Sequence, residues 1–405
     1  MNDAAFTRLQ ALLGPGSVER DPRGVPRAVP DSQEGLALIC RTATAERWKV
    51  RVEGHGTWLP PDAPADLTLS TRGLDRVIAV SPSDLVATVQ AGATLESTRR
   101  ELAEHGMWLA LDPPGRPERS LGSIAATATA GPLRHRYGPV RDHVLGGTIV
   151  TGDGRVVKAG GRVVKNVAGY DLTKLQVGGF GGFGVITELH LRLRALPRAD
   201  VTLITHGSRD RLTALGRALV AAQIEVTALE LLSPALAADS EWVLAARLMG
   251  PEPAVTAESK RLQHESEAVW EPVPVERSAG FWSLSARAAL GGPVTLRLGA
   301  LSDGLDETID LLRDRLDDGL VSAGAGSGSI RWIGDAKPER VRLLRRQLAD
   351  REIPLTLERA PWELRRILGH FGPYHEGVGV LVGRLRQSFD PDHCFSVALE
   401  GTEDG

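Results

Sequence analysis

RSLGSIAATATAG (Arg119–Gly131) and VGGFGGFGVITE (Val177–Glu188) are the two stretches of the chain that decide its fold. Both are dense with small residues, where a globular domain usually carries larger side chains to pack. Glycine within a strand or turn is destabilising by roughly 0.5–1 kcal/mol relative to alanine, because it loses more backbone entropy on folding. A chain that repeats this choice usually lets another molecule come close to its backbone. The two stretches therefore predict a large bound cofactor whose phosphate or ring lies against the backbone.

The composition is that of an ordinary globular protein. The chain has 405 residues, of which 42% are hydrophobic and 24% charged, and this length is enough for two domains with a core each. The formal net charge of −3 gives no reason to expect nucleic acid as a partner. No run of about 18 apolar residues is present, and Met1–Phe6 lacks the basic and apolar regions of an export signal. We therefore expect a cytoplasmic protein with no membrane span and no nucleic-acid partner.

The two cysteines, Cys40 and Cys394, are far apart in the sequence. Their number and spacing exclude in practice a disulfide framework and a zinc knot. They also exclude an iron–sulfur cluster held by this chain alone, because such a cluster normally needs four ligands. If the protein carries out redox chemistry, its electrons must therefore leave through a borrowed cofactor or a partner protein.

The hydrophobic pattern changes after Pro197. Before it, short strands and turns predominate, with helices predicted at Ala4–Leu13 and after the N-cap Thr94, and a hairpin at Thr151–Gly154. After it, strands and helices alternate in the pattern of a compact α/β sandwich, with helices on one side of an antiparallel sheet. A last helix is predicted over Val378–Phe389, where apolar residues recur at helical spacing before an Asp-Pro pair.

The segment Gly179–Gly184 satisfies the dinucleotide-binding pattern G-x-G-x-x-G. That pattern binds a pyrophosphate where a strand precedes it and a helix follows it. Here Val185–Leu193 follows and alternates like a strand, which argues against a Rossmann site. Two interpretations remain, a glycine-kinked hairpin and a strand whose backbone lies against a flavin or adenine.

Two further motifs could contact a phosphate. Gly54–Thr57 (GHGT) follows the predicted strand Trp48–Val52, and a glycine turn there can present successive amides to an anion. A plain tight turn is the commoner structure for so short a motif. Within the turn, His55 could be a phosphate donor, a covalent flavin anchor or a solvated histidine. Ser120–Thr127 could place its amides and hydroxyls against a phosphate or flavin edge, or could be the buried start of a helix.

Polar segments elsewhere in the chain are further candidate binding sites. Arg134–Tyr137 and Arg141–His143 could bind a phosphate or a substrate carboxylate, since arginine suits bidentate oxyanion contacts, or could form local ion pairs on a solvated loop. Lys165–Leu172 is polar among apolar strands, so one or two of its side chains could face a cavity. No metal-binding pattern is found, because His370 and His375 flank a turn that would break any helix.

Taken in chain order, these motifs resemble those of one known family. The strand and glycine turn Glu53–Thr57 precede SLGS (Ser120–Ser123), RYGPVRDHVLG (Arg136–Gly146), KNVAGYDLTKL (Lys165–Leu175) and GVITE (Gly184–Glu188). This order resembles the FAD-linked oxidase family, which has the vanillyl-alcohol-oxidase (PCMH-type) FAD fold. Within that family the chain is similar to the FAD-binding subunits of bacterial glycolate oxidases.

The resemblance implies an α+β fold. A two-subdomain PCMH-type FAD-binding domain would occupy residues 1–197 and an α/β sandwich cap domain residues 198–328. Residues 329–405 would supply the last strand and helix elements of the cap and a C-terminal helical tail that returns to the FAD domain. The resemblance also implies FAD, bound non-covalently, and assigns no catalytic residue. The cofactor-binding residues that it implies are Gly54, His55, Gly56, Thr57, Pro113, Ser120, Leu121, Gly122, Ser123, Thr127, Tyr137, Asp142, Val185 and Ile186.

The chain departs from the family pattern within these motifs. Glu53 and His55 stand where the pyrophosphate loop usually has arginine and glycine, and Ser123 replaces the second glycine of a Gly-Gly pair. A carboxylate about 4 Å from a pyrophosphate charge would be repelled by about 4 kcal/mol at an effective dielectric constant of 20. Glu53 is therefore expected either to weaken FAD binding or to point away from the loop.

The resemblance implies an FAD-binding oxidoreductase that acts as the accessory FAD subunit of a glycolate oxidase or similar 2-hydroxy-acid dehydrogenase complex. Catalytic members of the family share a histidine-rich, metal-binding stretch that has no counterpart here, which favours the accessory role. The expected partners are a catalytic flavin subunit and an iron–sulfur subunit, and the expected substrate is a small 2-hydroxy acid. Two alternatives are a scaffold subunit that binds no flavin and a self-sufficient FAD-dependent alcohol or hydroxy-acid oxidase.

Overall fold

Three large β-sheets organise the protein in a computed structural model that describes residues 2–162, 172–374 and 377–401. His375 and all of the polar motif Lys165–Leu172 except its last residue lie outside the described residues. The strands are β1 Val18–Arg20, β2 Pro26–Ala28, β3 Val50–Glu53, β4 Leu67–Ser70, β5 Val77–Ser81, β6 Val86–Gln90, β7 Met107–Trp108, β8 Val144–Val150, β9 Val156–Gly160, β10 Val185–Arg192, β11 Arg194–Ala195, β12 Ala199–Gly207, β13 Ala228–Leu232, β14 Trp242–Gly250, β15 Glu271–Pro272, β16 Val294–Gly299, β17 Leu320–Gly324, β18 Ser329–Gly334 and β19 Leu355–Arg359. The helices are α1 Asn2–Leu13, α2 Gln33–Ala45, α3 Leu95–Glu104, α4 Leu121–Thr127, α5 Arg134–Tyr137, α6 Val140–His143, α7 Leu172–Gln176, α8 Arg209–Ala221, α9 Pro234–Ala237, α10 Glu252–Glu265, α11 Val275–Ala288, α12 Leu305–Arg315, α13 Pro338–Ala349, α14 Trp362–Leu368 and α15 Val378–Phe389.

The first sheet has the strand order β1-β2-β4-β3 and packs against α1 and α2. Because β3 and β4 are parallel neighbours, the intervening residues 54–66 must cross from one end of the sheet to the other. The tail of the chain lies beside β3: the Val50 amide donates to the carbonyl of Cys394 at 2.8 Å, and the Ser396 amide donates to the carbonyl of Val50 at 2.9 Å. The crossover and the tail are thereby held next to each other.

The second sheet is antiparallel, with the order β5-β6-β10-β8-β9. The predicted hairpin at Thr151–Gly154 is the turn between β8 and β9, and the predicted N-cap Thr94 accepts a hydrogen bond from the Ser97 amide at 3.0 Å. Helix α4 packs its apolar side chains, among them Leu121 and Ile124, on the same core as β10. The segment after Gly184 is β10 and not a helix, which confirms that Gly179–Gly184 is no Rossmann turn.

The third sheet is an eight-stranded antiparallel sheet, with the order β15-β12-β14-β13-β17-β18-β16-β19. Helices α8, α10, α12 and α13 pack on one face, in a core that contains Leu203 of β12. The neighbouring residue Ile204 points to the opposite face, where it meets α9 and α11. The expectation of helices on one side only is therefore wrong for α9 and α11.

The three sheets fall in chain order along the predicted domain division. The predicted boundary at residue 197 lies between the end of β11 at Ala195 and the start of β12 at Ala199. Strands β18 and β19, which lie beyond residue 328, complete the third sheet, and the tail that follows returns to β3. The division into domains stays a prediction. No helix in the described ranges is long and apolar enough to cross a membrane.

A buried ion-pair network joins the third sheet to the loop after α4. The carboxylate of Glu358 on β19 is fully buried and pairs with Arg331 at 2.7 Å and with Arg297 at 3.2 Å. Arg331 also donates through Nη2 to the carbonyl of Ala130, at 3.0 Å. Burial opposes ionisation of Glu358, but the two guanidinium groups hold its pKa below its usual value. The third sheet is therefore joined to the loop after α4 by a hydrogen bond from an arginine that the ion pair with Glu358 holds in place.

Glu230 on β13 is expected to make the stability of the protein depend on pH. Its carboxylate is buried, accepts a hydrogen bond from Ser322, and has its pKa raised by burial to about 7. Glutamate in an unfolded chain titrates near pH ~4.3. The folded protein thus holds this proton more tightly, so the stabilisation is complete below about pH 4 and is lost as the pH rises towards about 7.

The corresponding prediction compares wild type with Glu230→Gln. Between pH 5 and pH 8 the wild-type free energy of unfolding should fall by about 2–3 kcal/mol more than that of the variant. Urea unfolding at the two pH values measures this difference. An identical pH dependence in both proteins would contradict it.

Candidate functional site

A cleft lies where the crossover after β3, helix α4, the start of β10 and the tail of the chain meet. We call it the glycine cleft, because glycines from three of these segments form its walls. Its empty space, counted out to its open mouth and including open solvent, is about 1130 Å³. It brings together these predicted residues: Gly54, His55, Gly56, Thr57, Gly122, Ser123, Thr127, Val185 and Ile186.

The turn Gly54–Thr57 is built for close approach. A Cβ atom added at Gly54 would overlap the hydroxyl of Ser120 and would lie 2.8 Å from its Cβ, so only glycine fits between β3 and α4. The carbonyl of Gly54 accepts a hydrogen bond from the Ser70 hydroxyl at 2.7 Å, which fixes the start of the turn. Gly56 has a φ of +66°, a conformation that favours glycine. The glycines are therefore required by the geometry of the turn.

The amides of this turn are free to bind an anion. The backbone N–H groups of His55, Gly56, Thr57 and Trp58 donate no hydrogen bond to any residue that the structure describes. Successive unpaired amides at a glycine turn form an anion-binding nest. Of the two interpretations of this motif, the phosphate-binding one is favoured by the geometry.

The carboxylate of Glu53 lies beside the glycine turn and is paired with a cation. It lies 2.9 Å from Arg27 Nε, and its side chain is only 11% exposed. Burial raises its pKa, although Arg27 and Arg51 act in the opposite direction. The expected repulsion of a bound phosphate is therefore offset by a paired cation.

Replacing Glu53 by glutamine tests this neutralisation. A bare carboxylate that repelled the phosphate by about 4 kcal/mol would weaken binding by about a thousandfold, and its removal would strengthen binding by that factor. Because Arg27 already offsets the charge, we expect Glu53→Gln to change the Kd for FAD by less than about threefold. Titration of the apo-protein with FAD measures it, and a gain beyond about thirtyfold would show that the charge is not compensated.

Ser120 and Leu121 shape the cleft but do not line it. Ser120 is the N-cap of α4 and accepts a hydrogen bond from the Ser123 amide at 3.3 Å. The Gly122 amide donates to the carbonyl of Ala91 at 2.7 Å, and a Cβ at Gly122 would lie 2.9 Å from that oxygen. The interpretation of this motif as a buried helix start thus holds for its first two residues. The residues that follow, from Gly122 on, face the cleft.

Trp58 is a functional candidate that the sequence motifs did not indicate, and Arg119 packs on its ring. Arg119 is fully buried, lies 4.1 Å over the ring of Trp58, and donates to the hydroxyl of Thr127 at 2.6 Å. Burial lowers its pKa to about 9, so it remains mainly protonated at neutral pH. The Nε1 atom of Trp58 is buried in the wall of the cleft and has no acceptor among the described residues. An unpaired buried donor there suits a ligand that carries acceptors.

The structure does not bring Pro113, Tyr137 and Asp142 into the cleft. Pro113 is buried in the loop before α4 and is not part of the cleft wall. The ring of Tyr137 packs edge-on against Trp108, with a centroid distance of 5.6 Å. Asp142 is exposed, and its carboxylate lies 3.8 Å from the neighbouring Arg141. The geometry gives these three residues no support as cofactor ligands.

A further part of the cleft wall is aromatic. Phe180 is buried and stacks on the ring of His370, with centroids 3.7 Å apart and an angle of 19° between the rings. Both rings line the cleft, together with Val185 and Ile186 at the start of β10. Two interpretations of Gly179–Gly184 were open, a glycine-kinked hairpin and a strand whose backbone lies against a flavin or adenine. Because Phe180, Gly181 and Gly184 border the cleft, the geometry favours the second. In the described part of the chain, no group of three or more acidic, histidine or cysteine side chains is placed to hold a metal ion.

Comparison with known proteins relates this site to flavin binding. Residues 27–160 match a family model described as an FAD binding domain. Glycolate oxidase subunit GlcE of Escherichia coli (strain K12) is 40% identical over 137 residues, which are 34% of this chain and 39% of the relative. D-lactate dehydrogenase [cytochrome], mitochondrial, of Arabidopsis thaliana is 35% identical over 182 residues, 43% of this chain and 31% of the relative. The chain thus spans about two fifths or less of the length of these curated relatives.

Solved structures extend the likeness of fold to nearly the whole chain. A p-cresol methylhydroxylase with substrate bound has a TM-score of 0.76 at 12% identity, covering 100% of this chain and 98% of that one. An alkyldihydroxyacetonephosphate synthase has a TM-score of 0.73 at 13% identity, covering 97% of this chain and 84% of that one. These matches confirm the predicted PCMH-type fold.

The residues of the glycine cleft fit FAD. Its diphosphate matches the unpaired amides of His55–Trp58, its acceptors match the unpaired Trp58 Nε1, and the glycines leave room for close approach. The family match, the relatives and the fold agree with this geometry. Residues 27–160 match an FAD binding domain, the chain has the PCMH-type fold, and its cofactor is FAD.

Proposed function

We propose that this protein is an FAD-dependent oxidoreductase and the accessory FAD subunit of a complex that oxidises glycolate or a similar small 2-hydroxy acid. The observation that carries the proposal is the 40% identity to glycolate oxidase subunit GlcE. Other relatives are named D-lactate dehydrogenase and D-2-hydroxyglutarate dehydrogenase, and both names denote the oxidation of a 2-hydroxy acid.

The chain itself would bind and orient the cofactor. The amides of His55–Trp58 would hold the diphosphate, and Trp58 Nε1 would donate to a further acceptor. Phe180, Val185 and Ile186 would keep water away from the apolar wall. The Nε2 atom of His55 lies 2.9 Å from the carbonyl of Gly92, an engagement that supports non-covalent binding. Bound FAD supplies the chemistry of accepting a hydride, or of passing electrons onward.

Onward transfer of electrons would depend on partner proteins. The sequence holds only two cysteines, Cys40 and Cys394, and both are buried in the hydrophobic core of the first sheet. An iron–sulfur cluster normally needs four ligands, so the cluster would be carried by another subunit. We therefore propose a cytoplasmic assembly with a catalytic flavin subunit and an iron–sulfur subunit.

The absorption spectrum of the chain purified alone, recorded before and after acid precipitation, tests the proposal. A flavin band released by acid is expected. A band that stays with the pellet would indicate covalent attachment and make His55 the first residue to replace. A colourless protein that takes up no added FAD would overturn the proposal in favour of a scaffold without flavin.

The role of the partners is tested by anaerobic addition of glycolate or D-lactate to the flavin-loaded chain. We expect bleaching of the flavin band only when the partner subunits are present. Rapid bleaching and turnover by the isolated chain would instead identify a self-sufficient oxidase.

A further inference from the structure

His370 is held rigidly at the junction of the third sheet, the tail and the glycine cleft. Its amide donates to the carbonyl of Ala398 at 3.0 Å, and its carbonyl accepts from the Leu357 amide on β19 at 2.7 Å. Arg345 donates a further hydrogen bond to the same carbonyl, at 3.2 Å. The stack on Phe180 fixes the plane of the ring. The orientation of the imidazole is therefore set by backbone contacts on two sides and by an aromatic neighbour.

The tautomer of the His370 ring follows from its contacts. Its Nδ1 atom lies 2.7 Å from the carbonyl oxygen of Leu357. A carbonyl only accepts, so Nδ1 must carry the proton. Burial lowers the pKa of the ring to about 3, which keeps it neutral at physiological pH. The Nε2 atom of a neutral ring with a protonated Nδ1 carries a lone pair and can only accept a hydrogen bond.

This Nε2 acceptor has no donor within the part of the chain that the structure describes. His370 as a whole is only 1% exposed. The open space that the ring borders is the glycine cleft. A buried acceptor left without a partner is unfavourable. The arrangement is therefore completed by a donor that enters the cleft.

We propose that His370 Nε2 accepts a hydrogen bond from bound FAD and is a cofactor-binding residue of this site. The inference rests on the proposed flavin function. FAD offers three kinds of donor: the hydroxyls of its ribityl chain and ribose, the amino group of adenine, and the N3–H group of the flavin ring. A donor of this kind would pair with the otherwise unpartnered acceptor, while Phe180 keeps the ring in place.

The test compares His370→Phe with His143→Phe in the full chain. Phenylalanine keeps the size of the ring and the stack on Phe180 but removes both the Nε2 acceptor and the Nδ1 donor to Leu357, and the melting temperature reports the loss of the second. His143 is the matched control, because it is also a buried histidine with a lowered pKa, and it lies outside the cleft. The readouts are the Kd of the apo-protein for FAD and the melting temperature of the apo-protein. We expect His370→Phe to raise the Kd roughly tenfold and His143→Phe to leave it within about twofold.

The outcomes separate this inference from the function on which it rests. If wild type binds FAD and His370→Phe binds it equally well, the inference is overturned and the flavin function stands. The same holds if both variants weaken FAD binding in proportion to a lowered melting temperature, because the effect is then structural. If wild type binds no FAD, both fail. Competition by FMN and by ADP assigns the donor to one half of the cofactor, since only the half that carries it should lose affinity in His370→Phe.

Discussion

Replacing Glu358 by glutamine is expected to lower the free energy of unfolding by about 3–5 kcal/mol, the range found when one partner of a buried ion pair is removed. Glu358 is fully buried and is the carboxylate to which both Arg331 and Arg297 pair. A neutral amide there would leave the guanidinium of Arg331 buried without a counter-charge. Because Arg331 also binds the carbonyl of Ala130, the loss should loosen the contact between the third sheet and the loop after α4.

Urea unfolding measures the free energy of unfolding of Glu358→Gln. Glu307→Gln, which removes one partner of an exposed ion pair, is the control. Glu307 pairs with Arg351 at 3.3 Å, but both side chains are exposed, so its loss should change stability by less than about 1 kcal/mol. A triple replacement, Arg331→Met and Arg297→Met with Glu358→Leu, should recover most of the loss, because apolar residues of similar volume need no counter-charge. Stability of Glu358→Gln within about 1 kcal/mol of wild type would show that the network is open to water.

Local signals explain which elements of the fold were predictable. Thr94 and the turn at Thr151–Gly154 were recognised because capping and turn chemistry act over a few residues. The strand after Gly184 was recognised by its alternation, which also ruled out a dinucleotide-binding turn. The placement of α11 on the second face of the third sheet was missed. Which face a helix covers depends on long-range packing, here of Trp282 against Ala228 and Ala245.

In the candidate site, too, local features were predictable from the sequence and long-range contacts were not. The glycine turn at Gly54 was predictable, because glycine at a strand end signals close approach of other groups. Trp58 and Arg119 meet each other only through the fold, and His370 reaches Phe180 from a distant part of the chain, so no local pattern marks them. The structure does not support the prediction that Tyr137 contacts the cofactor. Its place in a matching motif does not determine what its ring packs against, which here is Trp108.

Replacing Gly54 by alanine is expected to weaken FAD binding by about 5- to 150-fold, which corresponds to the 1–3 kcal/mol typical of overpacking in a well-packed site. The new methyl group would overlap the hydroxyl of Ser120, so either the glycine turn or the N-terminus of α4 must move. Movement of the turn would displace the unpaired amides of His55–Trp58, which we propose bind the diphosphate. Titration of the apo-protein with FAD measures the effect.

A second replacement shows whether that contact is the cause. In Gly54→Ala with Ser120→Gly, the atoms that obstruct the methyl group are absent, and glycine remains an acceptable N-cap, so FAD affinity should largely return. Gly383→Ala is the matched control, because a Cβ at that position on α15 has no atom within 4 Å and should leave the Kd unchanged. Rescue by the double variant would tie cofactor affinity to the spacing between β3 and α4, which the glycine sets. Unchanged affinity in Gly54→Ala would instead mean that the turn moves freely and that the diphosphate is held elsewhere.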